Sequence, residues 1–427
     1  MSSNKIPKPV NAGNSDAGKS PRQMSWKYLS IALIVLLAVF AAGLSTGRMV
    51  GRGSGSKKFS WPTGAIKVNP GPWGDLAYFP ITLDPPNELL SVEKVENTPL
   101  NWMFDGYTRS DLSGLLSGLG VPEEQQQKLL SPNSVSLSPH ALIWNPSREA
   151  LFQLSPNALQ GIYRTLGGFQ DNEKLHEVFY ASDLESFQGA GISEQTVSLL
   201  KKMSVPSGRF LNCYCLPYIV SSIPTYDEKA QFLSTISRQK TMLLKLHVHP
   251  ETDVNALVDY WGKALWTPDV KALLESVKQL PKGGTLDVVE LLPHLPTSLL
   301  YTYPIPQNPL EGSSFSRNCS WTAFNFFRDR ADSAFSNANY VVEKLKSDYM
   351  PVYSDPRYGD VVVFLTPDAQ LLHTAVFIAD SIVYSKNGDN PLHPWIFTTI
   401  PELTETFSSS IAAGQNLTIE YFRNKYI

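Results

Sequence analysis

Cysteine is scarce in this sequence, and an excess of basic residues is lacking. Three cysteines in 427 residues cannot build a disulfide scaffold, and at least one thiol must stay free or pair with another chain. The net charge of the chain is −3, whereas general nucleic-acid binders carry a positive net charge, so we expect no nucleic-acid partner. Because hydrophobic residues make up 42% of the chain and charged residues 18%, extensive disorder is also excluded. Function must therefore be inferred from local motifs.

One long run without charge stands near the start of the sequence. The 20 residues 28–47 contain no charged side chain. As a helix they would rise about 30 Å, which matches the hydrocarbon core of a bilayer. The run predicts a single transmembrane anchor. The alternative is a cleaved signal peptide, with the small residues 41–42 at its cleavage site.

From about residue 110 to residue 293 the sequence has mostly helical signals, whereas residues 61–99 are rich in proline and glycine and predict irregular or short-stranded structure. Ser155-Pro156 and Thr267-Pro268 each combine a good N-cap residue with a proline in the first turn of a helix. We predict a mostly α-helical domain, and its residues identify neither a ligand nor a partner.

Two short motifs in this domain concern metal binding and disulfide formation. His247 and His249 would share one face of a strand, so both imidazoles could reach one metal ion. No third ligand follows at a recognisable spacing, and we expect no metal site. A bridge between Cys213 and Cys215 would be strained, so we expect two buried thiols there.

The last part of the sequence contains a candidate nucleophile. Apolar residues recur at helical spacing from Ala323 to Phe335, which predicts an amphipathic helix with Cys319 near its start. The partial positive charge of a helix N-terminus and the neighbouring Arg317 both favour the thiolate, which is the reactive form. A second helix and several β-branched and aromatic runs follow, which favours an α+β fold with an antiparallel sheet.

His373 opens one of these strands and is the candidate general base. If the next connection has three residues, His373 stands opposite Asn387, and Ser385 lies on the same face. If the turn has two residues, Gly388 stands opposite His373 and Asn387 turns away. The sequence leaves this register open. We predict Asn387 as the residue that orients the imidazole, with Ser385 as the second choice.

The order of these motifs resembles that of the NlpC-type papain-like cysteine peptidases, whose motifs look like D-C-S-G-F, G-D-L-V-F-F and H-V-G-I-Y-I-G. The matching stretches here are N-C-S-W at 318–321, G-D-V-V-V-F at 359–364 and H-T-A-V-F-I-A at 373–379. The likeness covers about residues 300–427. Asn318 stands where the family usually has Asp.

The resemblance implies a papain-like domain in which Cys319 is the nucleophile and His373 is the base. The third catalytic position falls at Ser385, where the family has His, Asn or Gln. Arg317 and Trp321 flank the nucleophile and are the predicted substrate-binding residues, although Trp321 replaces a Gly of the family motif. No cofactor or metal is expected.

The favoured hypothesis is a membrane-anchored cysteine peptidase or amidase. The resemblance implies peptidoglycan stem peptides as the substrate, at the inner membrane of a bacterium with the C-terminal body in the envelope. One alternative is a catalytically inactive papain-like domain on an anchored envelope scaffold or binding protein. Another is an acyltransferase that uses the same Cys–His pair.

The predicted fold class is α+β, with the following order along the chain. We expect a disordered cytoplasmic tail at 1–27, a transmembrane anchor at 28–47, a flexible linker at 48–66, a mostly helical domain at 67–300 and a papain-like α+β domain with an antiparallel sheet at 301–427.

Overall fold

A computed structural model describes residues 59–263, 267–304, 317–388, 390–408 and 415–427 of the chain. The predicted anchor at 28–47 and the tail before it lie outside these residues. Within the described ranges, no helix combines the length and the apolar composition that crossing a bilayer requires. Residues Trp61–Ile427 form one compact unit.

Strands occur along the whole described chain. They are β1 Ile66–Lys67, β2 Asp75–Leu83, β3 Trp102–Asp105, β4 Val135–Leu137, β5 Ala141–Trp144, β6 Glu177–Tyr180, β7 Val205–Ser207, β8 Phe210–Cys213, β9 Gln239–Val248, β10 Gly284–Asp287, β11 Tyr349–Val352, β12 Val361–Leu365, β13 Leu371–Ala379, β14 Ile382–Lys386, β15 Trp395–Thr399 and β16 Thr418–Asn424. In the described residues they form antiparallel sheets with the orders β1-β2-β9-β10, β3-β5-β4, β6-β8-β7 and β11-β16-β12-β13-β14-β15.

The predicted fold class is wrong, because the region expected to be mostly helical contains three of these sheets. The described chain is a mixed α/β fold with antiparallel sheets. Strands β3 to β8 have only three or four residues each, which is too short for an alternating pattern to be recognised. The long strands β2 and β9 pair with each other although β3 to β8 lie between them in the sequence. When paired strands lie so far apart in the sequence, the residues near either strand do not indicate its partner.

Helices alternate with the short strands. They are α1 Val92–Glu96, α2 Arg109–Gly118, α3 Glu123–Leu129, α4 Arg148–Leu151, α5 Pro156–Leu166, α6 Leu184–Gly189, α7 Glu194–Lys202, α8 Leu216–Ser222, α9 Tyr226–Ile236, α10 Val254–Trp261, α11 Thr267–Lys278, α12 His294–Leu299, α13 Cys319–Phe324, α14 Ala338–Asp348 and α15 Ile400–Ser408. Side-chain caps explain several starts: the Ser155 hydroxyl accepts a hydrogen bond from the backbone N–H of Ala158 at the start of α5.

Three hydrophobic clusters organise the described residues. The first spans Val92 to Ile236 and is built around the edge-to-face pair of Trp102 and Trp144. The second cluster contains residues of the β1-β2-β9-β10 sheet, of helices α10 to α13, and of one face of the C-terminal sheet. The third lies between the other face of that sheet and α15. The C-terminal sheet is therefore covered on both faces, by α13 on one and by α15 on the other.

Helix α13 is much shorter than the amphipathic pattern predicts. It begins after Asn318, whose side-chain oxygen accepts a hydrogen bond from the Trp321 N–H at 2.9 Å. It ends at Phe324 because the buried Asn325 side chain ties the chain into a turn. The Asn325 amide donates to the carbonyls of Trp321 and Asp332, and its oxygen accepts from the Asp332 N–H at 2.7 Å.

A Gly-Asp pair starts the central strand β12. Gly359 has a φ of +90°, and a Cβ at this position would lie 2.3 Å from the Phe327 ring. The Asp360 carboxylate is almost fully buried and accepts hydrogen bonds from Nε and Nη2 of Arg423 on β16, at 2.8 and 2.6 Å. It also accepts from the Arg357 N–H at 2.7 Å. The motif thus fixes the turn before β12 and ties that strand to β16.

We expect Asp360→Asn to lower the free energy of unfolding by about 2 kcal/mol, because it removes charge-assisted hydrogen bonds in a buried setting. Urea denaturation measures the loss. The matched control is Asp329→Asn at an exposed position, which should change stability by less than about 0.5 kcal/mol. Equal effects of the two substitutions would contradict the structural role of Asp360.

Candidate functional site

Cys319 is the first residue of α13 and is partly exposed. Arg317 lies two residues earlier, with its guanidinium 5.4 Å from the centre of the Trp321 ring. The Ser320 hydroxyl, next in the chain, lies 3.5 Å from the hydroxyl of Thr374 on β13. The start of α13 therefore faces the side of β13 on which Thr374 projects.

The two faces of β13 carry different sets of side chains. Val376 and Ile378 pack with α13 in the second hydrophobic cluster. Ala375 and Phe377 pack with α15 in the third cluster. Since successive side chains of a strand point to opposite faces, His373 shares the face of Ala375.

The contacts of His373 agree with this assignment. Its imidazole stacks on the Phe407 ring of α15, with 4.4 Å between ring centres, and also contacts Phe364 on β12. Only 1% of His373 is exposed. The imidazole is therefore enclosed between the sheet and α15.

The polar residues predicted to accompany His373 lie beside it. In the β13–β14 hairpin, Val376 pairs with Tyr384 and Phe377 pairs with Val383. This is the register that a three-residue connection would give. Here it results from a two-residue turn combined with a bulge near Ile378. Ser385 Oγ lies 2.9 Å from His373 Nε2 and donates a hydrogen bond to Asn387 Oδ1 at 3.4 Å. His373, Ser385 and Asn387 thus form a connected group, in which Ser385 contacts the imidazole directly and Asn387 does so only through Ser385.

The electrostatic setting keeps the imidazole neutral. Burial, with a smaller contribution from the ammonium of Lys386, lowers the pKa of His373 to about 3. Because the Ser385 hydroxyl donates to Asn387, it accepts from Nε2, so Nε2 carries the proton. Nδ1 is buried and has no hydrogen-bond partner. This nitrogen therefore has a free lone pair in a buried setting.

The thiol and the imidazole do not meet. Cys319 belongs to the helix on one face of the C-terminal sheet, and His373 projects from the other face. The described structure therefore brings together the predicted base and its two polar neighbours but leaves out the predicted nucleophile. Arg317 and Trp321 stay with Cys319 on the α13 side.

The structure also describes the two histidines and the two cysteines that were considered above for metal binding and disulfide formation. The rings of His247 and His249 are 4.3 Å apart, and His249 Nε2 lies 3.0 Å from the Asp75 carboxylate. The described residues contain no group of three or more potential metal ligands. Cys213 and Cys215 are buried and unbridged as predicted, with 3.9 Å between their sulfur atoms.

Sequence reasoning missed a polar cavity in the middle of the chain, lined in part by His176 and Asn212. His176 lies just before β6 and Asn212 lies in β8, and these strands have four residues each. Neither residue belongs to a motif, because only the pairing of the two strands brings them together. The sequence signal at this place is an isolated histidine two residues before the apolar stretch 178–180.

Comparisons with known proteins give no family assignment. No protein-family model, no curated protein and no solved structure matches this chain.

The pKa of His373 has a consequence for stability. The folded value of about 3 lies below the ordinary value of about 6.5, so between these pH values the unfolded chain binds a proton that the folded chain does not. Stability contributed by the neutral imidazole is complete above pH 6.5 and is lost as the pH falls toward 3.

From pH 7 to pH 5 we expect the wild type to lose about 2 kcal/mol more of its free energy of unfolding than His373→Gln loses. Urea denaturation at both pH values measures the difference. The control His140→Gln removes an exposed histidine and should retain the His373 contribution. If wild type and His373→Gln lose equal amounts, the imidazole is not held neutral.

Proposed function

We propose that this protein is a binding or scaffold protein whose C-terminal region does not hydrolyse amide bonds. The observation that carries the proposal is the position of His373 on the sheet face opposite to α13. A cysteine nucleophile needs a base within hydrogen-bond reach, at roughly 2.6–3.2 Å or through one water. An intervening β-sheet excludes both arrangements.

Reorganisation of the site would be costly. Moving His373 to the other face requires a one-residue slip of β13, which would also turn Ala375 and Phe377 out of their hydrophobic cluster. Each large buried apolar side chain contributes on the order of 1.5–3 kcal/mol of burial free energy. The imidazole would in addition leave its stacking contact with Phe407.

The motifs that resemble the peptidase family all have structural roles here. Asn318 caps α13, Gly359 and Asp360 fix the turn before β12, and His373 forms a buried hydrogen bond with Ser385. Stability alone accounts for these residues. This supports a role in which the C-terminal region is a packed framework.

Two catalytic hypotheses stay predictions of the sequence. Hydrolysis of peptidoglycan stem peptides and acyl transfer both need the thiol and the imidazole on the same face. Placement in a bacterial envelope also stays a prediction, since the proposed anchor 28–47 lies outside the described residues. The proposal of a binding role needs none of these.

Alkylation of Cys319 by iodoacetamide tests the proposal. Cys319 should react first, because Cys213 and Cys215 are buried. Fast labelling alone therefore does not identify a nucleophile, and the pH dependence of the rate is the useful measurement. We expect the rate–pH profile of Cys319 to be the same in wild type and His373→Gln, within about twofold at each pH.

A Cys–His dyad gives a different result, since the imidazole would then control how much thiolate is present. A change of tenfold or more in the alkylation rate near neutral pH in His373→Gln, absent in the control His140→Gln, would overturn the proposal. Loss of peptide cleavage in Cys319→Ala, measured with purified muropeptides, would overturn it independently.

A further inference from the structure

A cavity of about 210 Å³ lies between α5, the β6-β8-β7 sheet and the last residue of α15. Most of the residues that line it have polar side chains, including Gln160, Arg164, His176, Ser207 and Asn212. These residues are distant in sequence from Cys319, and none of the residues predicted to be catalytic lines the cavity.

His176, one of the residues that line the cavity, offers a hydrogen-bond acceptor. The His176 ring stacks on Tyr214, with 4.3 Å between centres and 5° between planes. Its Nε2 donates to Asn212 Oδ1 at 2.8 Å. Burial lowers the pKa of His176 to about 4, although the hydrogen bond with Asn212 acts in the opposite direction. In the neutral ring Nδ1 is therefore an acceptor, and no described residue donates to it.

The outer rim presents a cation. Arg164 lies in the last turn of α5 and is exposed. No carboxylate of the described residues forms an ion pair with it. A guanidinium binds a carboxylate through two parallel hydrogen bonds. The exposed amide of Gln160, one helical turn earlier, offers further donors and an acceptor.

The volume limits what can bind. Sites for drug-sized ligands typically measure about 300–1,000 Å³, so this cavity suits a smaller molecule. A cation and a neutral acceptor in the lining of one small cavity favour a ligand that has a carboxylate at one end and a donor, such as an ammonium group, close to it.

We propose that this cavity binds a free amino acid or a similarly small zwitterion. Its carboxylate pairs with Arg164, and its ammonium group donates to Nδ1 of His176. The site deepens the proposed binding role, but it depends only on the cavity and would remain if Cys319 proved to be catalytic.

Three matched probes test the proposal. L-alanine carries both charged groups, propionate lacks the ammonium group, and ethylamine lacks the carboxylate. Calorimetric or NMR titration of the full chain should give saturable binding of L-alanine, at least tenfold tighter than that of either other probe. Absence of saturable binding of L-alanine, or equal binding of all three probes, would overturn the proposal.

Variants locate the binding. Arg164→Met should weaken L-alanine binding at least tenfold, and so should His176→Phe, which keeps a ring to stack on Tyr214. The control Arg330→Met removes an exposed arginine outside the cavity and should leave binding unchanged. Unchanged binding in both Arg164→Met and His176→Phe would mean that the site lies elsewhere.

A further variant separates the two proposals. Cys319→Ala should leave L-alanine binding unchanged whether or not Cys319 has a catalytic function. If binding fails while the alkylation profile is independent of His373, only the amino-acid site is rejected. If binding succeeds while muropeptide cleavage depends on Cys319, only the non-hydrolytic role is rejected.

Discussion

Side chains of β13 point alternately to the two faces of the C-terminal sheet, and the arrangement of the C-terminal region depends on this alternation. Thr374 and Val376 meet the side of the sheet that α13 covers, and His373 and Ala375 meet the side that α15 covers. Because both faces are packed, the assignment cannot change without exposing apolar surface. A cysteine and a histidine that look well spaced in the sequence are thereby kept apart.

Local features of the site could be predicted from the sequence, but the face of the sheet could not. The sequence left two registers open for this hairpin, and the structure has the one that places Ser385 beside His373, although a bulge rather than a longer turn produces it. The helix that covers the His373 face of the sheet is α15, which lies about thirty residues further along the chain. The residues around His373 therefore do not reveal what covers it. The sequence also predicts a helix through Phe335, whereas the side chain of Asn325 ends it early.

The middle of the chain was harder to predict for a different physical reason. Strands of three or four residues have too few positions to establish a period of two, and their partners stand far away in the sequence. Helix caps such as Ser155 are recognisable because the interaction spans only three residues. The cavity beside His176 depends on both kinds of element, so it has no linear signature.

Helix α15 connects the two parts of the molecule that carry polar interiors. Phe407 covers the imidazole of His373, and the next residue, Ser408, lines the cavity beside Arg164. One turn before the end of the helix, Glu405 forms an ion pair with Arg209 of the β7–β8 turn at 2.6 Å. A molecule seated in the cavity would restrain the end of α15, so amide protons of β13 and β14 would exchange with solvent more slowly. A ligand bound in the cavity would thus affect the C-terminal sheet through the last turn of α15.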